Sequence, residues 1–309
     1  MKVRGGGEVQ ARRGYWAPET PWPEQGDALP GAMWWVIGWA VVALIGITGT
    51  IASLNSMRFS RRVAQEAAAL LEGARDVPPI AIGKIAALPA PVQRYLSKAV
   101  TERARAVRSV RLRHGGRFRA SLDGSWLPIR GEQYFSADPP GFIWWGRVRM
   151  FPGLWVDARD RSVAGEGNML VCLESTITLA DSSGPQLDQG ALLRLLGEMT
   201  WFPTGFLDDR HVRWSPVDDT RAQATLEVNG RTVSGEFTFG PDDLPVSFSA
   251  DRYRDTGGGT SVLTPFVGRM RDYRSVNGLL VPHRLVAAWV VDGQPIEYAD
   301  FEVEAIEFE

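Results

Sequence analysis

The chain of 309 residues has one cysteine, Cys172, which excludes an intramolecular disulfide framework and any multi-cysteine metal site. Its three histidines, His114, His211 and His283, stand too far apart in sequence to form a metal-ligand motif. A basic excess is also missing. With 34 Lys and Arg against 36 Asp and Glu, the net charge is -2, the wrong balance for a nucleic-acid binder that gains from counterion release. There is no glycine-rich phosphate loop, nucleophile elbow, paired-histidine zinc helix or thiol redox pair. No cofactor, metal or catalytic residue is therefore assigned, and a non-enzymatic role leads.

The most informative absence is local. Between Asp27 and Arg58 no side chain is charged, and Met33 to Leu54 is apolar enough to cross a bilayer as one helix. At about 1.5 Å per residue this segment reaches roughly 33 Å, the hydrocarbon thickness of a membrane. Trp34, Trp35 and Trp39 crowd its first turns, where indole rings favour the headgroup boundary. The competing reading is a cleaved signal peptide, with Ala52 serving a cleavage site after Thr50 and Ile51. The run is longer than a signal core and thirty-two residues precede it, so a retained single-pass anchor is expected. Arg58, Arg61 and Arg62 directly after the span pull the following domain toward the cytoplasm by the positive-inside tendency. Lys2, Arg4, Arg12 and Arg13 answer from farther away.

Residues 1–32, rich in Gly, Pro and Glu, read as a disordered tail, 33–54 as the transmembrane helix, 55–87 as a helical linker and 88–309 as a β-rich domain. Within the linker, Phe59 to Leu71 reads as a helix that lies along the membrane or continues the anchor. Pro91 suits the first turn of a helix whose apolar stripe is Val92, Tyr95, Leu96 and Ala99. Beyond Ala106 the pattern changes to alternation, punctuated by Asp123-Gly124, Asn229-Gly230, Asn277-Gly278 and Asp292-Gly293, each a tight-hairpin signal.

A two-residue loop at Asp123-Gly124 sets Phe118 against Ile129, Leu112 against Phe135, His114 against Gln133 and Arg117 against Arg130. The same reasoning at Asn229-Gly230 sets Leu226 against Val233, Ala222 against Phe237 and Thr225 against Ser234. Between the strand blocks, Asp188 to Phe202 reads as an apolar helix capped by Asp188, with Leu192, Leu195, Leu196 and Met199 as its core stripe. The expected class is α+β: an N-terminal transmembrane helix, then a curved antiparallel sheet with a central apolar helix.

Leu88 to Leu96 (LPAPVQRYL), Arg130 to Phe135 (RGEQYF) and Trp201 to Thr204 (WFPT) together resemble an uncharacterised family of bacterial membrane-anchored proteins, from about Leu88 to the C-terminus. That resemblance implies a bacterial inner membrane and transfers no catalytic residue. The order strand block, apolar helix, strand block is similar to the half-barrel of bacterial lipoprotein carriers, in which a curved sheet and helical lid enclose an apolar cavity. This likeness implies an extracytoplasmic domain and a hydrophobic or amphipathic ligand, a lipid among the candidates.

On that reading Phe118, Ile129, Trp144, Leu192, Leu196, Met199 and Trp201 line the cavity, and Arg117 and Arg130 attract an anionic head. Two other functions compete. Phe142 to Trp155 (FIWWGRVRMFPGLW) sets aromatics beside Arg147 and Arg149 and suits an interaction module of a membrane or envelope complex as well as a core corner. A hydrolase would draw its acid and base from Glu132, Glu174, Glu198 or His114, with Glu198 the carboxyl expected to be raised by its apolar helix.

Overall fold

In the computed structural model, which describes residues 31–77, 79, 82–257 and 259–309, the alternating segments pair into one open antiparallel sheet of thirteen strands. The first block holds β1 (Ser109–Phe118), β2 (Leu127–Ala137), β3 (Pro140–Phe151), β4 (Leu154–Val163), β5 (Glu166–Leu173) and β6 (Ile177–Ser183). The second holds β7 (Val212–Pro216), β8 (Arg221–Val228), β9 (Arg231–Phe239), β10 (Pro245–Asp255), β11 (Ser261–Val276), β12 (Leu279–Val291) and β13 (Gln294–Phe308). Among the described residues three α-helices accompany them, α1 (Gly31–Glu72), α2 (Ala90–Ala99) and α3 (Pro185–Glu198), with short 3-10 turns after α1 and α3. The class is α+β. The spatial order β6-β5-β4-β3-β2-β1-β13-β12-β11-β10-β9-β8-β7 joins the blocks through β1 and β13.

The chain forms two units, residues up to Thr48 and residues 49–309. In the first, Trp34, Trp35 and Trp39 are exposed along with nearly every other apolar side chain, and Met33–Glu72 includes a window long and apolar enough to cross a membrane. The expected tail at residues 1–30 lies outside the described residues, while Gly31 and Ala32 already belong to α1. The helix expected at Phe59 to Leu71 is part of α1, so of the two courses open to it the chain takes the continuous one.

The sheet curls around α3. This helix packs against β3 to β6 on one side and β8 to β10 on the other. In the sheet, β4 and β9 are eight strand positions apart, which in a flat sheet is about 38 Å. The fourteen residues of α3 extend only about 21 Å, so only a curved sheet brings both wings to it. Direct contacts between the wings agree. The Asn229 side-chain amide donates to the Ala164 carbonyl over 3.1 Å, joining the β8–β9 turn to the β4–β5 turn. Nearby, buried Asp138 in the β2–β3 turn holds Arg75 at 2.8 Å, Arg210 at 2.9 Å and His211 at 3.2 Å. This is the closed end, filled by Trp201, Phe202, Phe206 and Tyr95 against Phe135 and Phe239.

Three hairpins follow their dipeptides: Val228 faces Arg231, Val276 faces Leu279 and Val291 faces Gln294. Asn229 and Gly230 both take positive φ (49° and 76°), as the turn demands, and Thr225 meets Ser234 at 2.8 Å. The first hairpin departs from expectation. β1 and β2 are linked by residues 119–126, Gly124 is not in the left-handed region, and Phe118 faces Leu127. The slip is two residues, so every side chain keeps its expected face while every partner changes. Leu112 faces Gln133, His114 faces Gly131 and Arg117 faces Pro128, so the opposed Arg117–Arg130 pair does not exist. The start of α3 is also earlier than expected: Gly184 precedes it, and Asp188, inside the helix, accepts the Gly167 amide at 2.7 Å instead of capping.

Candidate functional site

Alternation along each strand, shifted in β13 by a bulge at Tyr298, decides which side chains face α3. From β2 to β4 those are Ile129, Gln133, Phe135, Phe142, Trp144, Ala158 and Asp160; from β1, β13, β12, β11 and β10 they include His114, Phe118, Phe301, Tyr298, Trp289, Phe266 and Arg252. At the closed end this face is fully buried. Leu192, Leu196, Met199 and Trp201, expected to line a cavity beneath the helix, are each at most 2% exposed and fill that space themselves. Toward the other end, Phe118, Leu127, Ala158, Val171, Tyr298 and Trp289 stay partly exposed. This open end, above α3, is the candidate site.

Its floor is a polar network set in apolar surroundings. Arg194 of α3 donates to Glu198 (2.9 Å), Asp160 (2.8 Å) and the Gln133 side-chain oxygen (3.3 Å), and its guanidinium lies over the rings of Phe142 and Trp144. Gln133 in turn donates to Glu198 over 2.6 Å. Burial pushes the Glu198 carboxyl up, and Arg194 and Gln133 pull it back only in part. For Arg194, burial works against the charge, but Glu198 and Asp160 together outweigh it, so the guanidinium stays charged.

His114 closes the network on the β1 side. Trp144 Nε1 is a donor only and lies 2.9 Å from His114 Nε2, so that nitrogen must be unprotonated and the proton sits on Nδ1, toward the Gly115 carbonyl. Burial, with Arg194 adding repulsion, lowers the imidazole to about 4, against a weaker upward pull from Gly115. His114 and Glu198 thus share one network, whereas Glu132 pairs with Tyr134 and Arg111 on the outer face and Glu174 sits in the β5–β6 turn. Among the described residues no group of three or more His, Cys, Asp or Glu could hold a metal ion.

The wall above this floor is aromatic. Phe118, Tyr298, Trp289 and Phe266 form a row across β1, β13, β12 and β11, with ring centroids 6.1, 5.9 and 5.6 Å apart in turn. Arg252 of β10 ends the row, its guanidinium 4.7 Å from the Phe266 centroid and 5.7 Å from that of Trp289. Of the expected wall residues, Phe118, Ile129 and Trp144 do face this side. Arg117 and Arg130 do not. Arg117 is on the outer face, paired with Asp300 at 3.0 Å, and exposed Arg130 faces Arg147 of β3. Arg252 and Arg254 were legible in principle, because Phe248, Ala250, Arg252 and Arg254 keep one alternation and carry the apolar face of β10 into two cations.

The Phe142–Trp155 stretch serves both faces. Trp144 turns inward, while Trp145, Arg147 and Trp155 all donate to fully buried Asp157 on the outer face, at 3.2, 2.8 and 2.9 Å. Arg147 also donates to Ser56 of α1 over 2.7 Å, and Asn55 donates to Thr176 over 3.1 Å. Asn55 and Ser56 of α1 therefore lie beside the open end. A separate outer-face cleft of about 210 Å³, lined by Arg111, Arg113, Ala305 and Glu307, is smaller than usual ligand pockets and is a gap between long polar side chains.

Comparison with known proteins adds a family and two distant structures. A family model described as a family of unknown function (DUF6544) matches residues 79–301. A search of curated proteins finds no match. Among solved structures, a LolA superfamily protein, NE2245 from Nitrosomonas europaea, is similar at 12% identity and a TM-score of 0.37, over 72% of this chain and 94% of that one. A β-barrel-like protein of domain of unknown function DUF1849 from Brucella abortus is similar at 14% identity and a TM-score of 0.26, over 66% of this chain and all of the other.

Proposed function

The chain belongs to this family of unknown function (DUF6544), and we propose that it is a single-pass membrane protein that binds a hydrophobic or amphipathic molecule, such as a lipid, at the open end of its curved sheet. One observation carries the reading: the row Phe118, Tyr298, Trp289 and Phe266 crosses four adjacent strands on the concave face, and three of its four rings are left partly exposed. Aromatic surface of this kind is withdrawn from water at a gain of roughly 25 cal/mol per Å², so a concave row of it favours an apolar occupant. Position supports the same reading. Asn55 and Ser56 of the β-rich unit lie beside the open end, and they follow the apolar segment in sequence.

The ligand lies above α3, not beneath it, because Leu192, Leu196, Met199 and Trp201 occupy the space beneath. This reading implies no covalent chemistry. An interaction module is the second reading, favoured by the exposed side chains Phe151, Ile177 and Leu179 at the end of β3 and on the β6 edge.

The test is photolabelling of the full-length protein in membranes with a phospholipid bearing a diazirine at its acyl terminus, followed by peptide mapping. Label is expected in residues 33–54 and also around Phe118, Trp289 and Tyr298. Label confined to 33–54 would leave an anchored interaction module. Absence of label from 33–54 would remove the anchor.

A further inference from the structure

Two cations sit where the aromatic row ends. On β10, Phe248 and Ala250 face α3, and Arg252 and Arg254 continue that same face, while Asp251, Tyr253 and Asp255 are exposed on the other. Arg252 and Arg254 pair across the strand with Thr264 and Val262 of β11. The open space at Gly190 of α3 admits the Arg252 guanidinium, which comes within 3.7 Å of where a side chain would begin.

Neither arginine forms an ion pair among the described residues, and the Nε of each is buried without a hydrogen-bond partner. By contrast, Arg117, Arg147, Arg159, Arg194 and Arg284 each meet a carboxylate. Two guanidiniums on one strand face, about 7 Å apart along the chain, repel one another and lose hydration. A ligand that supplies the missing negative charge removes both costs, and planar guanidiniums present paired donors to a carboxylate or a phosphate.

Resting on the reading of an apolar binder given above, we infer that the open end is a site for a single-chain amphiphile with an anionic head, the head between Arg252 and Arg254 and the chain along Phe266, Trp289, Tyr298 and Phe118. The floor does not cancel this charge, because Glu198 and Asp160 are already engaged by Arg194.

The experiment uses the full-length protein in phosphatidylcholine nanodiscs, titrated with 11-(dansylamino)undecanoic acid and with its neutral methyl ester, after subtraction of empty discs. The acid should bind at least about tenfold tighter than the ester, the advantage expected of one or two charge-assisted contacts. Arg252→Gln with Arg254→Gln should erase that gap without weakening the ester, and Arg252→Lys with Arg254→Lys should keep part of it. Where the double glutamine variant fails to fold, Arg254→Gln alone decides: it should narrow the gap at least about threefold, and no narrowing overturns the assignment. Equal binding of acid and ester by the unmodified protein overturns the anionic head while leaving an apolar binder. Binding of neither above empty discs overturns both. Displacement of the bound acid by lauric acid or by dodecyl phosphate supports the site and tells carboxylate from phosphate; displacement by neither overturns it.

Discussion

The two wings of the sheet use the same strand geometry under different covers. The wing from β3 to β5 is covered on both faces, by α3 inside and outside by Phe59, Val63 and Leu70 of α1, which pack on Ile143, Leu170 and Cys172. The wing of β8 and β9 has α3 inside and water outside, and its burial alternates residue by residue. An Arg–Glu pair stands on the outer face of each wing, Arg159–Glu66 at 3.1 Å and Arg221–Glu236 at 3.2 Å. The distances are alike, but the Arg159 side chain is 1% exposed and that of Arg221 44%. Cover, not geometry, decides what such a pair is worth.

The largest effect should come from breaking the covered pair. Glu66→Ala removes the ion-pair partner of the buried Arg159 guanidinium, which keeps its hydrogen bond to the Asn168 carbonyl, and should cost about 3–5 kcal/mol. Burial already lowers the pKa of Arg159 despite Glu66. Replacing both partners, Glu66→Leu with Arg159→Met, should recover most of the loss. Denaturant unfolding of the full-length protein in detergent, followed by tryptophan emission, measures both. A cost below about 1 kcal/mol for Glu66→Ala would mean that α1 does not shield this wing.

Acid should act next, at the inner seam where β1 meets the covered wing. His114 is neutral in the folded state, with a pKa of about 4 against 6.5 in its absence. Between those values the unfolded chain binds more protons, so stability falls as pH drops from about 6.5 to about 4, by about 3 kcal/mol in total. Glu198 works the other way: its raised carboxyl favours the folded state as pH falls through its own folded value, which offsets part of the loss. His114→Gln should flatten the acid limb between pH 6.5 and 4. An unchanged limb would place the sensitivity elsewhere.

The covers also explain what the sequence made legible. On β8 and β9 one face is wet, so polar and apolar residues alternate, and the register from Asn229-Gly230 matches each expected pair. On β3 both faces are buried, and Phe142-Ile143-Trp144-Trp145 is a continuous apolar run that does not say which ring faces which layer. The first hairpin misled for another reason. An even slip preserves faces, so apolar pairing agreed with a register that was two residues off, and Asp123-Gly124 carried the whole choice. Glu198 was legible as a carboxyl in an apolar helix, but Gln133, which donates to it, and Asp160, which shares Arg194 with it, come from strands whose approach depends on the curl of the sheet. Arg117 and Arg130 were assigned to a ligand because they faced each other in the slipped register, and the true one separates them.

A smaller effect should test the turn of the legible wing. Gly230 has φ of 76° and open space where a side chain would begin, so Gly230→Ala meets only the backbone cost of that conformation, about 1–2 kcal/mol. Thermal unfolding reads it, and no change would mean that the turn relaxes freely despite the contact between Asn229 and Ala164.

The smallest effect closes the comparison. Glu236→Ala removes the partner of Arg221 on the uncovered face, where water replaces the lost contact and Asp218 still holds the guanidinium at 2.8 Å. The change should stay within about 1 kcal/mol and shrink further in salt. Measured beside Glu66→Ala in the same denaturant series, it sets an uncovered pair against a covered one of the same residue types and nearly the same distance. If the two variants cost the same, burial beneath α1 contributes nothing to the covered pair, and the difference between the wings must then lie in how their inner faces meet α3.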